Sequence, residues 1–147
     1  MSREREGRYA TRTSEKSDDG VEPPTGTGVR SDGSEDPESL TVRGWQRAGA
    51  LTQLFRSRSD LTPRVVFAAG TGSGSKSMRP IETVTPLVGV LKQDPHFGFV
   101  TKYPKDDLQA LVDDALQRQG PVLIAWEHKV IPVPRGERTR EIQKSTF

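Results

Sequence analysis

The stretch Pro63-Arg64-Val65-Val66-Phe67-Ala68-Ala69-Gly70 decides the fold. Five apolar side chains follow one another without the polar alternation of a half-exposed strand, and a proline and a glycine bound the run. It is too short for a helix and predicts a strand buried on both faces, the pattern of a parallel sheet covered by helices. A second run of this kind, Pro121-Val122-Leu123-Ile124-Ala125-Trp126, leads into Glu127-His128. Helical spacing fills the ground between and before them. Thr41 is placed to cap a helix reaching about Phe55, with Trp45, Ala48, Leu51 and Leu54/Phe55 on one face. Pro80 suits a first helical turn, and Ile81, Val84, Leu87/Val88 and Leu91 continue it, with Pro86 expected to distort it. Leu108, Leu111/Val112 and Ala115/Leu116 mark a third helix from about Lys105, stopped at Gly120. Phe97-Gly98-Phe99-Val100 predicts a weaker strand. Strand and helix alternate, which argues for an α/β fold with a parallel sheet.

The 147 residues allow one ordinary core. The hydrophobic fraction is 31%, and even with the 14 glycines it stays below the roughly 45–50% of globular chains. The shortage is concentrated at the start, where residues 1–39 contain only Met1, Tyr9, Ala10, Val21 and Val29 as apolar side chains. This composition predicts a polar, largely irregular lead over 1–39, an α/β domain over 40–134 and a polar tail over 135–147. The net charge of +2 is far from the single-signed field of a dedicated nucleic-acid binder. There is no cysteine and there are two histidines, His96 and His128, so thiolate chemistry and a His-rich metal site are excluded and no cofactor is implied. Neither a secretory leader nor a run of about 18 apolar residues is present, so the expectation is a cytoplasmic protein without a membrane partner.

Two places invite a ligand. The loop Gly70-Thr71-Gly72-Ser73-Gly74-Ser75-Lys76-Ser77 follows a buried strand, where backbone N–H groups can cradle phosphate. The G-x-x-x-x-G-K-[ST] pattern fails, because Ser75 stands where glycine should precede Lys76, and a plain Gly/Ser connection is the simpler reading. Arg79 follows, with a guanidinium able to hold phosphate bidentately. His128 lies just past the second apolar strand, at the edge where open α/β sheets bind ligands. A structural histidine there is equally in keeping with the sequence. Glu127 is most simply a solvated strand-end residue, and His96, in Pro95-His96-Phe97, is a loop histidine.

Taken together, Thr41-Val42-Arg43-Gly44-Trp45-Gln46-Arg47-Ala48-Gly49-Ala50-Leu51, Lys76-Ser77-Met78-Arg79-Pro80-Ile81-Glu82-Thr83-Val84-Thr85-Pro86-Leu87 and Val122-Leu123-Ile124-Ala125-Trp126-Glu127-His128-Lys129 resemble the histidine phosphatase superfamily, the phosphoglycerate-mutase-like phosphatases. The resemblance covers roughly 8–132. It implies a three-layer fold with a mostly parallel sheet, and a pocket for a phosphorylated small molecule or phosphate. Arg12-Thr13-Ser14-Glu15-Lys16 looks like the family's Arg-His-Ala-Glu-Lys segment. By resemblance Arg12 and Arg79 are the phosphate-binding arginines and His128 the second histidine. Thr13 occupies the position of the nucleophilic histidine. The family's general acid varies in position, and Glu82 and Glu15 are the carboxylates that come into question.

The exchange at Thr13 has a chemical consequence of its own. Imidazole is a good leaving group from phosphorus, whereas a phosphorylated threonine is an ordinary ester that hydrolyses very slowly. The implied function is therefore phosphatase-like with hydrolysis impaired. A non-catalytic phosphate-ligand or partner-binding module is the alternative, and a nucleotide site in the Gly-rich loop a third. Two further departures from the family stand at the ends: Glu6-Gly7-Arg8-Tyr9-Ala10-Thr11 is polar where a central apolar strand belongs, and the tail lacks a closing strand. Both would follow from a degenerate or truncated copy. The sequence does not specify an oligomeric state.

Overall fold

In the computed structural model, residues 26–72 and 74–126 are described in full, together with the backbone of two further strands at 8–12 and 143–145. Strand β1 is Arg8–Arg12, helix α1 is Val42–Ser57, β2 is Val65–Ala68, α2 is Arg79–Leu91, β3 is Gly98–Val100, α3 is Leu108–Gln117, β4 is Val122–Trp126 and β5 is Gln143–Ser145. The strands form one sheet in the order β3-β2-β4-β1-β5, and every pairing is parallel.

Both apolar runs are central strands, and their side chains divide between two cores. On one face Val66 and Ala68 of β2 and Leu123 and Ala125 of β4 pack with Leu51 and Phe55 of α1 and Val84 and Leu87 of α2. On the other, Val65 and Phe67 of β2 and Val122 and Trp126 of β4 pack with Leu111 and Ala115 of α3. The result is a three-layer α/β arrangement, and each large apolar side chain so buried contributes roughly 1.5–3 kcal/mol.

The helices begin and end much as their sequences dictate. Thr41 caps α1, its Oγ1 accepting from the Gly44 N–H at 3.1 Å. Helix α2 has Pro80 in its first turn and continues through Pro86. Thr83 and Thr85, flanking Glu82 and Pro86 on the helix, donate to the carbonyls of Arg79 and Ile81. Helix α3 ends at Gln117 with Arg118 extended at its cap, so it stops before the expected Gly120, whose φ of 83° lies in the turn leading to β4 and is one glycine adopts freely. At Gly70 the constraint is space: a Cβ there would collide with the Thr101 carbonyl oxygen. The end of β2 can therefore pass close beneath the chain leaving β3.

The two ends of the chain correct the reading from composition. The polar segment Arg8–Arg12 is an interior strand between β4 and β5, and Gln143–Ser145 supplies the strand that the polar tail was expected to lack. Backbone pairing asks for N–H and C=O groups rather than apolar side chains, so composition missed both. Residues 28–41, within and just beyond the expected irregular lead, fold into a bonded strap. Val29 N–H donates to the Leu40 carbonyl, Asp36 N–H to that of Gly28, and Trp45 Nε1 of α1 to that of Val29.

Two substitutions test this packing. Thr41→Ala should lower unfolding stability by about 1 kcal/mol through loss of the cap. Leu87→Ala, at a fully buried position, should cost about 2–5 kcal/mol. Urea titration followed by circular dichroism measures both.

Candidate functional site

In a parallel sheet the carboxyl ends of all strands lie along one edge, which is also where the following helices begin. From β1 through β2 to β3 the chain moves toward one side of the sheet, and through β4 to β5 it returns to the other. The reversal places β4 between β2 and β1, the kind of position where open α/β sheets bind ligands. At this edge Arg12 of β1 is in register with Trp126 of β4, and Ala68 of β2 with Ala125. Thr13 is the next residue after Arg12, and His128 comes two after Trp126. Thr13, Glu15, Glu127 and His128 lie outside the described residues, and of Arg12 the strand backbone is described.

Arg79 is fully described. It is the first residue of α2, and the crossover from β2 to β3 brings that helix N-terminus to the carboxyl edge. Its guanidinium bonds to the strap: Nε donates to the Ser39 carbonyl at 3.3 Å and Nη2 to the Pro37 carbonyl at 2.5 Å. Met78 N–H, immediately before the helix, donates to the Glu38 carbonyl at 2.9 Å. The strap thus lies across the start of α2.

Glu82, one turn further on, is 7% exposed. Its two oxygens accept from Ser39 Oγ at 2.9 Å and from Leu40 N–H at 2.7 Å. This corrects its candidacy as a general acid. A carboxylate that accepts a backbone N–H and a hydroxyl is held as an acceptor, with a structural task.

The Gly-rich loop is also committed. Gly72 and Ser75 exchange backbone hydrogen bonds at 3.0 and 2.9 Å, and Gly70 N–H donates to the Tyr103 carbonyl. Those three amides are engaged within the protein rather than arranged around an anion. Lys76 is exposed. His96 is exposed in a loop, its N–H donating to Asp94 Oδ1 at 2.8 Å.

The strap residues Asp36, Ser39 and Leu40 were not singled out by sequence reasoning, although one signal was present. Asp36-Pro37-Glu38 is an Asx-turn sequence, and Asp36 Oδ1 does accept from Glu38 N–H at 3.0 Å. Its other oxygen accepts from Arg30 Nε at 2.8 Å. The Glu38 N–H first, and then Arg30, hold the Asp36 carboxyl below the ordinary aspartate range. Arg30, its own pKa raised chiefly by Asp36, also feels the charges of Asp32 and Glu82. A second ionic group lies around α3. Asp114 accepts from Arg118 Nε and from the Tyr103 hydroxyl, both at 2.8 Å, and its pKa is lowered mainly by Arg118.

Compared with models of protein families, with curated proteins and with solved structures, the chain matches none. Among the described residues no group of three or more His, Cys, Asp or Glu side chains could hold a metal ion, and no helix is long and apolar enough to cross a membrane.

The depressed Asp36 pKa makes the strap sensitive to acid. A carboxyl with a lowered folded-state pKa contributes stability that is complete above the ordinary aspartate range and lost as pH falls through that range toward the folded value. Amide protection of Val29 and Asp36, corrected for intrinsic exchange, should therefore decline on acidification before the central strands lose theirs. Asp36→Asn should weaken the strap near neutral pH and flatten this dependence. Equal protection across pH in both proteins would contradict it.

Proposed function

We propose that this is a histidine-phosphatase-like domain that binds a phosphorylated small molecule or phosphate at the carboxyl edge of its sheet, with ester hydrolysis impaired by Thr13. The observation supporting this reading is the parallel register of β1 with β4, which aligns Arg12 with Trp126 at neighbouring strand ends. In sequence, Thr13 and His128 lie one and two residues beyond that pair. Arg79, at the start of the helix that follows β2, is the third contributor from this edge.

The chemistry follows from the residue types. Two guanidiniums and a protonated imidazole attract a phosphate dianion, and arginine matches two phosphoryl oxygens at once. Hydrolysis in the family breaks the ester P–O bond as a histidine nitrogen forms a P–N bond, and water then releases phosphate from the phosphohistidine. With Thr13 in that position, transfer would form a bond from the hydroxyl oxygen to phosphorus as the substrate's ester P–O bond breaks, the hydroxyl proton ending, by way of the His128 imidazole, on the departing alcohol. The resulting threonine ester resists water. Binding survives the exchange; turnover does not.

The test is hydrolysis of an aryl phosphate by the chain and by Thr13→His, with His128→Ala in the restored background. The native chain should be nearly inert. Thr13→His should gain turnover that falls about 10²-fold or more when His128 is removed, the lower range for a positioned proton-transfer group. Arg79→Ala should weaken inorganic phosphate binding roughly 10- to 100-fold, as loss of charge-assisted hydrogen bonds does. Native and Thr13→His chains that neither hydrolyse the ester nor bind phosphate would refute the reading.

A further inference from the structure

A guanidinium has a side edge, formed by Nε–H and one Nη2–H, and an end edge formed by Nη1–H and the other Nη2–H; either can grip two oxygens in parallel. The strap uses the side edge of Arg79, through the Ser39 and Pro37 carbonyls. Among the described residues nothing engages the end edge, which leaves it for another acceptor pair. What keeps those carbonyls in place is visible in the same region. Glu82, on the same helix and buried, binds Ser39 Oγ and Leu40 N–H, while Met78 N–H binds the Glu38 carbonyl. The backbone from Pro37 to Leu40 is thereby tied to α2 on both sides of Arg79.

From these contacts we infer that Glu82 is a positioning residue: through Ser39 and Leu40 it fixes the strap carbonyls that orient Arg79, presenting the end edge of its guanidinium to a phosphoryl group. The phosphoryl part of this inference rests on the function proposed above; the orientation of Arg79 does not. An arginine held in advance loses less rotamer freedom on binding than one that must be ordered by its ligand. Glu82 thus acts on an anion site without contributing a cation to it. Its own charge opposes the anion, so the benefit arises from geometry and should be recoverable by an uncharged isostere.

The experiment uses the full chain and two readouts. Side-chain 15N NMR follows the Arg79 Nε–H resonance, whose exchange with water is slowed while the Ser39 carbonyl accepts it, and titration with inorganic phosphate gives Kd. Glu82→Ala should speed that exchange and weaken phosphate binding about two- to tenfold, as expected when one long side chain must be immobilised on binding. Glu82→Gln, which can still accept from Leu40 N–H and bond to Ser39 Oγ, should restore most of both. Ser39→Ala should move both readouts in the same direction as Glu82→Ala, by less, and decides the matter if Glu82→Ala does not fold. A folded Glu82→Ala or Ser39→Ala protein with unchanged Nε–H exchange overturns the inference, as does failure of Glu82→Gln to recover either signal. If the native chain binds no phosphate, the functional reading fails, and the positioning of Arg79 is still judged by whether Nε–H exchange follows Glu82.

Discussion

The parallel pairing of β2 with β4, covered on both faces, is the constraint on which the rest of the structure depends. Val66, Phe67, Val122 and Leu123 stand at 0–1% exposure and point alternately to opposite sides, so neither face can be left to water. One helical layer would bury half of each strand. Parallel strands also need crossovers, and a helix placed in each crossover supplies the missing cover. The same geometry brings the strand ends and the helix starts to a common edge. Arg79 therefore reaches that edge as a consequence of how β2 is buried, with no separate provision in the fold.

Glu82 sets a second constraint. An ionised carboxylate taken out of water without partners costs several kcal/mol, more than one buried leucine returns. The strap meets that demand with the Leu40 N–H and the Ser39 hydroxyl, and its own need for acceptors is met in return. The dependence runs both ways: without the strap α2 would bury an unsatisfied charge, and without Glu82 the strap would bury an unsatisfied N–H. Trp45 adds a third tie, joining Val29 to α1. A segment with few apolar side chains is thus ordered by polar groups whose partners lie 42 or 43 residues away in the chain.

The division between what could and could not be read from the sequence follows from these facts. Elements specified by side-chain burial were legible: the unbroken apolar runs of β2 and β4 and the stripes of α1 to α3, and so was the Thr41 cap. Elements specified by backbone pairing were not. Arg8–Arg12 carries no core pattern and is still an interior strand, because what places it there is the ladder on either side. Trp45, expected in the core, is half-buried and spends its indole N–H on the strap. At the candidate edge, the helix start at Arg79-Pro80 was legible, whereas the bonding of Glu82 required knowing that Ser39 and Leu40 come to it across the fold. Spacing along a helix cannot reveal a partner of that kind.

On the reading proposed above, Thr13 alters the electrostatics of the edge as well as its reactivity. A histidine nucleophile must be neutral to attack, so the family's pocket balances cations against an imidazole that stays uncharged. Threonine is uncharged at every relevant pH and asks nothing of that balance. On that reading the remaining cations serve binding alone. Around Arg79 the Pro37 and Ser39 carbonyls accept from the guanidinium, and Glu82, one turn along the helix, is itself held by Ser39 and Leu40. These are dipoles and a charge fixed by hydrogen bonds, so they do not need to reorganise when an anion arrives. Among the described residues Arg79 is held by the Ser39 and Pro37 carbonyls of the strap, so on that reading its orientation is set by the strap and not by the chemistry at residue 13.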